Sequence, residues 1–224
     1  MKFFLLIIML VWATILCAGD ITGTVRAEGK EGAAAPADSS GKYDSRKFKF
    51  AERVDYSQLR EFVVYVDQPL GEKPTPPAKP VQVVTLKDAL FKPHLLPIVV
   101  GTTVEWPNQD EILHNVYSFS ETKQFDLGLY KSEAKKVTFD KPGRADVFCS
   151  IHSKMHCVVL VLTNPYFAAT DAKGSFTITN VPPGNYRVKA WHERLPPQVK
   201  EITVPEKGGV KLDFVLGIKG LPQY

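Results

Sequence analysis

The stretch CSIHSKM at residues 149–155 places three metal-binding side chains on one short segment. Cys149, His152 and Met155 recur at every third position, and their thiolate, imidazole and thioether groups all bind soft or borderline metal ions. The chain has only two other methionines, Met1 and Met9, and both lie in its apolar N-terminal segment. The stretch therefore predicts a metal site, and the search for further ligands starts from it.

A second histidine lies upstream, at His114 in the sequence EILHNV of residues 111–116. Two imidazoles and a thiolate in one plane, with a weak axial thioether, form the ligand set of a blue-copper electron-transfer centre. Soft Cys and Met side chains suit Cu(I), while imidazoles suit both oxidation states of copper. The sequence therefore predicts one copper ion bound by His114, Cys149, His152 and Met155.

Each predicted ligand also has a purely structural interpretation. Taken alone, Cys149 is a small buried residue, His114 a core or turn histidine, and Met155 a flexible side chain that fills a gap. In an oxidising compartment, Cys149 and Cys157 would form a disulfide in the simplest interpretation. Because that bridge would consume the proposed ligand, we expect Cys157 to be a buried strand residue instead.

His156 directly follows Met155 and competes with it for the axial position. Consecutive residues on a tight turn cannot both point at one metal ion, and the spacing from His152 favours Met155. We expect His94 to be structural or to lie just outside the ligands, with direct contact to a metal as the minor alternative, and His192 to lie on the surface of the C-terminal part. Five histidines in all are too few for the trinuclear centre of a multicopper oxidase, so no enzymatic activity is predicted.

The N-terminus has the pattern of a secretory signal. Lys2 precedes a mostly apolar run from Phe3 to Leu16, and small residues follow up to Gly19. We predict a signal peptide over residues 1–19, and hence a periplasmic or secreted protein with no membrane span after cleavage. A retained membrane anchor, or a lipid on Cys17, is the alternative.

Charge argues against nucleic acid as a partner. The sequence has 28 Lys and Arg against 24 Asp and Glu, and no dense basic stripe. We interpret one cluster of lysines as a solvated face, with a docking patch for an acidic protein as the alternative. Its members are Lys131, Lys135, Lys136 and Lys141.

Short β-branched and aromatic runs separated by Gly and Pro predict an all-β protein. A flexible insert is predicted near 29–60, with a short helix over 53–60, and a proline-rich linker over 71–80. The predicted strands are 21–26, 62–66, 81–86, 98–100, 102–106, 115–119, 135–139, 144–148, 158–162, 175–178, 186–191, 201–204 and 210–215.

Residues 98–162 resemble a cupredoxin, closest in loop pattern to amicyanin and the plastocyanins. The resemblance rests on VGTTVEWPNQD at 100–110 with HNV at 114–116, and on the Cys-x-x-His-x-x-Met loop. It implies a Greek-key β-sandwich, electron transfer through a partly exposed His152, and hydrogen bonds from Asn115 around the sulfur. With FKPH at 91–94, the layout also resembles bacterial proteins labelled methylamine-utilisation-like.

Residues 163–224 resemble a small β-sandwich of the carboxypeptidase-regulatory or transthyretin-like kind, with an Ig-like architecture. The matching text is TDAKGSF at 170–176 and PPGNY at 182–186. Residues 20–162, including the N-terminal strands, are assigned to the cupredoxin domain. In the alternative, strands from 20–68 complete the C-terminal sandwich, and the cupredoxin is inserted between its two halves.

These features together predict an extracytoplasmic carrier of single electrons, with another redox protein as its partner. Two further classes stay open at this point. One is a copper-binding protein for storage or delivery, which one Met and a Cys-His-Met loop fit poorly. The other is a structural or interaction β-protein that keeps the cupredoxin shell as a scaffold.

Overall fold

The structure is a computed structural model that describes residues 18–29, 55–71 and 75–217. The predicted signal peptide therefore falls outside the described residues except for its last two positions, and so does most of the predicted insert near 29–60. Within the described part, the all-β fold class is confirmed. In the region of the predicted helix over 53–60, the structure has a single 3-10 turn at Tyr56–Gln58.

Eighteen strands make up the described fold. In chain order they are β1 (Gly19–Glu28), β2 (Val63–Val66), β3 (Val81–Val83), β4 (Thr85–Lys87), β5 (Leu90–Lys92), β6 (Leu95–Val99), β7 (Thr102–Pro107), β8 (His114–Ser120), β9 (Lys123–Tyr130), β10 (Ala134–Phe139), β11 (Gly143–Phe148), β12 (His156–Leu162), β13 (Phe167–Ala169), β14 (Ser175–Val181), β15 (Gly184–His192), β16 (Leu195–Val204), β17 (Val210–Lys211) and β18 (Phe214–Gly217).

Residues 81–162 form a two-layer sandwich that we call the central sandwich. One layer has the strand order β10-β7-β3, and the other has the order β6-β12-β11-β8-β9. Alternate residues of both layers face inward and form one core, in which Trp106 and Phe139 are the largest fully buried side chains. Most pairings are antiparallel, but β3–β7 and β6–β12 are parallel.

The remaining strands form a second sandwich, which we call the outer sandwich. Its layers have the orders β14-β1-β17, with β18 also paired to β1, and β13-β2-β15-β16. Both N-terminal strands therefore pair with strands that follow residue 162, and not with the central sandwich. From sequence, β1 and β2 are assigned to the cupredoxin domain of residues 20–162, but in the structure both strands pair within the outer sandwich.

The chain leaves and re-enters the outer sandwich at neighbouring strands. β2 precedes the central sandwich, β13 follows it, and the two pair antiparallel with Tyr65 opposite Phe167. The buried Asn164 side chain donates hydrogen bonds to the backbone oxygens of Val66 (2.8 Å) and Gln68 (3.0 Å). One amide side chain thus ties the outgoing segment to the returning one.

Strand β12 is buried on both faces, since every residue from Cys157 to Leu162 is buried. Its odd-numbered residues point into the central core, and its even-numbered residues point outward. The outward residues pack with Val63 of β2 and Leu95 of β6, and with three partly buried aromatic side chains of the outer sandwich. A continuous apolar run is the pattern expected of a strand covered on both sides.

Prolines obscure the first residues of two strands, for which the sequence predicts only 98–100 and 201–204. Pro97 lies in β6, and Pro196 and Pro197 lie in β16. Both strands lie at the edge of their sheets, where a missing N–H costs no ladder hydrogen bond. The predicted strand 81–86 is also divided, because β3 pairs with β7 while β4 pairs with β5.

A substitution at Gly23 tests the position of β1. A Cβ atom on Gly23 would lie 1.9 Å from the backbone oxygen of Leu212, which cannot move aside easily. We expect Gly23→Val to lower the free energy of unfolding by about 1–3 kcal/mol, the usual cost of overpacking. Urea denaturation followed by circular dichroism measures this change.

The matched control is Thr22→Val, because the neighbouring Thr22 side chain is exposed and valine suits a strand. We expect this control to leave the stability nearly unchanged. Equal stabilities for the two variants would show that β1 does not pack against the segment around Leu212.

Candidate metal centre

Two adjacent strands bring the predicted ligands together. His114 is the first residue of β8, and Cys149 directly follows β11, which lies next to β8 in the five-stranded sheet. His152 lies on the loop that joins β11 to β12. One donor atom from each of these three side chains lies within 4.8 Å of the other two.

Backbone hydrogen bonds close the ligand loop. The Cys149 N–H donates to the Met155 oxygen at 3.2 Å, directly beyond the last paired residues of β11 and β12. The Met155 N–H donates to the His152 oxygen at 3.0 Å. The seven-residue loop is therefore a tight extension of the β11–β12 hairpin, and the sheet fixes where its side chains point.

The Asp110 carboxylate orients the His114 ring. His114 Nε2 lies 2.8 Å from Asp110 Oδ2, and a carboxylate oxygen at this distance accepts the ring N–H. A neutral imidazole has one N–H and one lone pair, so the lone pair of His114 lies on Nδ1. A carboxylate behind a metal-binding histidine commonly fixes the ring in this way.

Asp110 is itself held in place by backbone donors. Its two carboxylate oxygens accept the N–H groups of Asp88 (2.8 Å) and Ala89 (2.9 Å) in the β4–β5 turn. Desolvation raises the pKa of Asp110, but the Ala89 amide, the His114 ring and the Asp88 amide together outweigh it and lower the pKa below its usual value. The carboxylate is thus kept ionised as an acceptor for His114.

Three donor atoms converge in front of this ring. His114 Nδ1 lies 3.1 Å from His152 Nδ1, and His152 Nδ1 lies 3.7 Å from Cys149 Sγ. The His114 lone pair therefore points at the other ring, so a proton or a metal ion must lie between the two nitrogens. The arrangement suits a metal ion with two nitrogen ligands and one sulfur ligand.

The sulfur of Cys149 lies in a buried and largely apolar environment. The Asn115 backbone N–H points to Cys149 Sγ at 3.4 Å. The Asn115 side chain donates instead to Asp126 Oδ1 at 2.7 Å. The contact predicted around the sulfur is therefore made by the backbone of Asn115, whereas its side chain braces the β8–β9 pair.

Strand alternation separates Met155 from His156. Met155 is almost completely buried and belongs to the central core with Cys149 and Cys157. His156 points to the opposite face of β12, where its ring stacks on Phe148 and its Nε2 lies 3.0 Å from Asp146 Oδ1. Met155 therefore lies on the side of the converging donors, and His156 does not.

The other sequence predictions for single residues have mixed outcomes. Cys149 and Cys157 are both free thiols, and burial raises the pKa of the Cys157 thiol well above its usual value. The prediction that His192 lies on the surface is wrong, because this side chain is buried and its ring packs on Phe62 at 5.0 Å. Burial lowers the pKa of His192.

Each lysine of the predicted basic cluster contacts a group of the protein itself. Lys131 pairs with Glu111, Lys135 with Glu133, and Lys136 with Glu105. Lys141 donates to the backbone oxygen of Glu121. These contacts favour the solvated-face interpretation over a patch of unpaired positive charge.

Comparison with protein-family models matches one part of the chain. Residues 158–217 match the family model of the carboxypeptidase regulatory-like domain, which confirms the resemblance predicted for the C-terminal part. The matched range begins inside β12, although β12 pairs with strands of the central sandwich. No curated protein matches the chain.

Several solved copper proteins are similar to part of the chain. A Cu(I) structure of an amicyanin variant is 24% identical over 44% of this chain and 98% of its own, with a TM-score of 0.35. A purple cupredoxin from Nitrosopumilus maritimus is 25% identical over 36% and 98%, with a TM-score of 0.32. A copper-containing nitrite reductase from Thermus scotoductus SA-01 is 28% identical over 42% of this chain, with a TM-score of 0.35, and the chain spans only 25% of that enzyme.

Among the described residues, no helix is both long enough and apolar enough to span a membrane.

The role of Asp110 can be tested directly. Replacing it with asparagine puts an amide where a carboxylate now accepts two backbone N–H groups and the His114 ring. We expect Asp110→Asn to weaken copper binding by about 10- to 100-fold, the usual effect of losing a group that orients a metal ligand. Competition with a chelator of known affinity measures this change.

Glu111→Gln is the control, since it makes the same change of charge at the next residue. The Glu111 side chain is 95% exposed and contacts only Lys131 among the ion pairs described. Similar copper affinities for the two variants would show that Asp110 does not orient His114 for binding.

Proposed function

We propose that the protein is an extracytoplasmic carrier of single electrons that binds one copper ion through His114, Cys149, His152 and Met155. The observation that carries the proposal is the convergence of His114 Nδ1, His152 Nδ1 and Cys149 Sγ on one point. This donor set matches the trigonal plane of a blue-copper centre. Copper bound there would supply a reversible one-electron couple.

Met155 is proposed as the axial ligand. It lies on the loop that also carries Cys149 and His152, and its side chain is buried on the same side of the sheet. A thioether stabilises Cu(I) more than a fourth imidazole does. This assignment leaves His156, on the opposite face of β12, outside the site.

The rigidity of the site favours electron transfer over ion delivery. His114 is fully buried, Cys149 is nearly so, and the loop is closed by hydrogen bonds at both of its ends. A delivery protein needs ligands that exchange easily with a partner, whereas an electron carrier needs ligands that stay in place in both oxidation states. The buried donors of this chain meet the second need.

Electrons are proposed to pass through His152. This ring is partly exposed, whereas His114 is fully buried. The exposed apolar side chains of Ile112, Leu113 and Ile151 flank the two histidines in sequence. A second redox protein could therefore dock against these apolar side chains close to the exposed part of the His152 ring. Removing apolar surface from water is favourable, so such docking has no large desolvation cost.

The proposed location rests on the N-terminal pattern of the sequence. A positive residue, an apolar run and small residues before Asp20 are the features of a secretory signal. Secretion into the periplasm or beyond would place the copper site outside the cytoplasm. Mass spectrometry of the protein purified from that fraction would reveal an N-terminus at Asp20.

Replacing the thiolate ligand is the central test. We expect wild-type protein with Cu(II) to show an intense visible band from thiolate-to-copper charge transfer. Cys149→Ser should abolish this band because serine supplies no thiolate. Absorption spectroscopy of the purified full-length protein measures both.

The second cysteine provides the matched control. Cys157→Ala removes the other free thiol of the mature chain, and we expect the band to persist. A Cys149→Ser protein that stays intensely coloured would rule out this site. A protein that binds copper but does not cycle between its oxidation states would indicate storage instead.

The axial assignment gives a prediction for the reduction potential. We expect Met155→Leu to raise the potential while the strong colour is kept, because leucine offers no donor and further disfavours Cu(II). His156→Ala should leave both nearly unchanged. Redox titration of the two variants measures the shifts, and a larger change in the His156 variant would reverse the assignment.

A further inference from the structure

A second cluster of metal-binding side chains lies between the two sandwiches. His94 precedes β6, His156 begins β12, and Glu193 lies in the turn between β15 and β16. One ring nitrogen of each histidine and one oxygen of Glu193 lie within 4.8 Å of one another. The cluster shares no residue with the proposed copper ligands.

The hydrogen bonds of His94 fix the position of its lone pair. His94 Nδ1 lies 3.1 Å from the backbone oxygen of His156, which can only accept, so Nδ1 carries the proton. His94 Nε2 then faces Glu193 Oε2 at 3.0 Å. In the neutral ring these are two acceptors in contact, and only a second proton or a bound cation between them makes the contact favourable.

His156 is oriented in a similar way from the other side. Its Nε2 lies 3.0 Å from Asp146 Oδ1, and the same oxygen accepts a hydrogen bond from Arg144 at 2.7 Å. Stacking on Phe148 holds the plane of the ring. With the proton on Nε2, the lone pair of His156 lies on Nδ1, and Asp146 plays the part that Asp110 plays for His114.

The electrostatics of the cluster favour positive charge. The hydrogen bond to Glu193 raises the pKa of His94 although burial opposes it, and His94 in turn lowers the pKa of Glu193. One extra proton on His94 satisfies this pair but leaves the His156 lone pair unused. A divalent cation can bind one donor atom from each of the three side chains.

We propose that His94, His156 and Glu193 form a second metal site for a borderline divalent ion such as Zn²⁺. Two imidazoles and one carboxylate are common zinc ligands, and the absence of a thiolate from the set disfavours Cu(I). The 3.0 Å between His94 Nε2 and Glu193 Oε2 is close to the separation of two donors on one zinc ion, about 3.3 Å for bonds near 2.0 Å. The three side chains are 35%, 27% and 22% exposed, so an ion can reach them from solvent.

The proposed ion would join the two sandwiches. Both histidines belong to the central sandwich, whereas Glu193 belongs to the outer one. Arg144 of the central sandwich also donates a hydrogen bond to the Glu193 backbone oxygen, at 3.2 Å. Bound metal should therefore stabilise the contact between the two sandwiches.

The test counts Zn²⁺ ions bound by the full-length protein. We expect Glu193→Gln and His94→Gln each to bind one Zn²⁺ fewer per chain than the wild type in equilibrium dialysis at micromolar free Zn²⁺. The loss corresponds to a weakening of affinity by about 100-fold or more, since loss of an orienting group alone costs 10- to 100-fold. Glu201→Gln is the matched control, because it removes one exposed carboxylate from the same sandwich and should lose no ion.

A second measurement makes the result independent of folding defects. Zn²⁺ should raise the melting temperature of the wild type and of Glu201→Gln, and this increase should be absent or much smaller in Glu193→Gln. Equal Zn²⁺ counts in all four proteins, together with equal shifts in the wild type, Glu193→Gln and Glu201→Gln, would overturn the proposal and leave a protonated His94 paired with Glu193. The result does not depend on the copper proposal, which is tested separately by the charge-transfer band of the copper protein and its loss in Cys149→Ser.

Discussion

Burial of β12 on both faces is the constraint on which the rest of the structure depends. Its odd-numbered residues complete the core of the central sandwich, and its even-numbered residues form the apolar contact with the outer sandwich. The same alternation continues to the start of the strand, where it sends Met155 inward and His156 outward. A shift of one residue in the pairing of β12 would turn its inward side chains outward and its outward side chains inward. Met155 and His156 would then leave their candidate sites.

In both candidate sites, a carboxylate accepts a hydrogen bond from a histidine ligand and so orients its ring. Asp110 keeps a proton on the far nitrogen of His114, and Asp146 does so for His156. In each case a lone pair is turned toward other donors before any ion arrives. Such prior orientation lowers the entropic cost of binding and narrows the choice of ion.

The sequence was informative where one local pattern carries both chemistry and structure. The spacing of Cys149, His152 and Met155 is visible on one loop, and the apolar run of residues 158–162 predicts the strand that the structure contains as β12. Asp110 lies only four residues before His114, but the sequence alone does not show that its carboxylate turns back to the ring. Glu193 could not be found from a local pattern, because its contact with His94 joins segments far apart in sequence. His192 was misplaced for the same reason, since the ring of Phe62 that covers it is contributed by a segment far away in sequence.

The pairing of β2 with β13 has a consequence for the order of folding during synthesis. All strands of the central sandwich lie between residues 81 and 162, so this unit can fold as soon as that stretch is made. β2 must wait for β13, which is made about 100 residues later, or roughly 5–20 s at usual rates of translation, and β1 waits longer for β14. In the folded protein, the segments that lead into and out of the central sandwich lie side by side. The strands before and after it then meet as if only a short loop joined them, and little chain entropy opposes the final assembly.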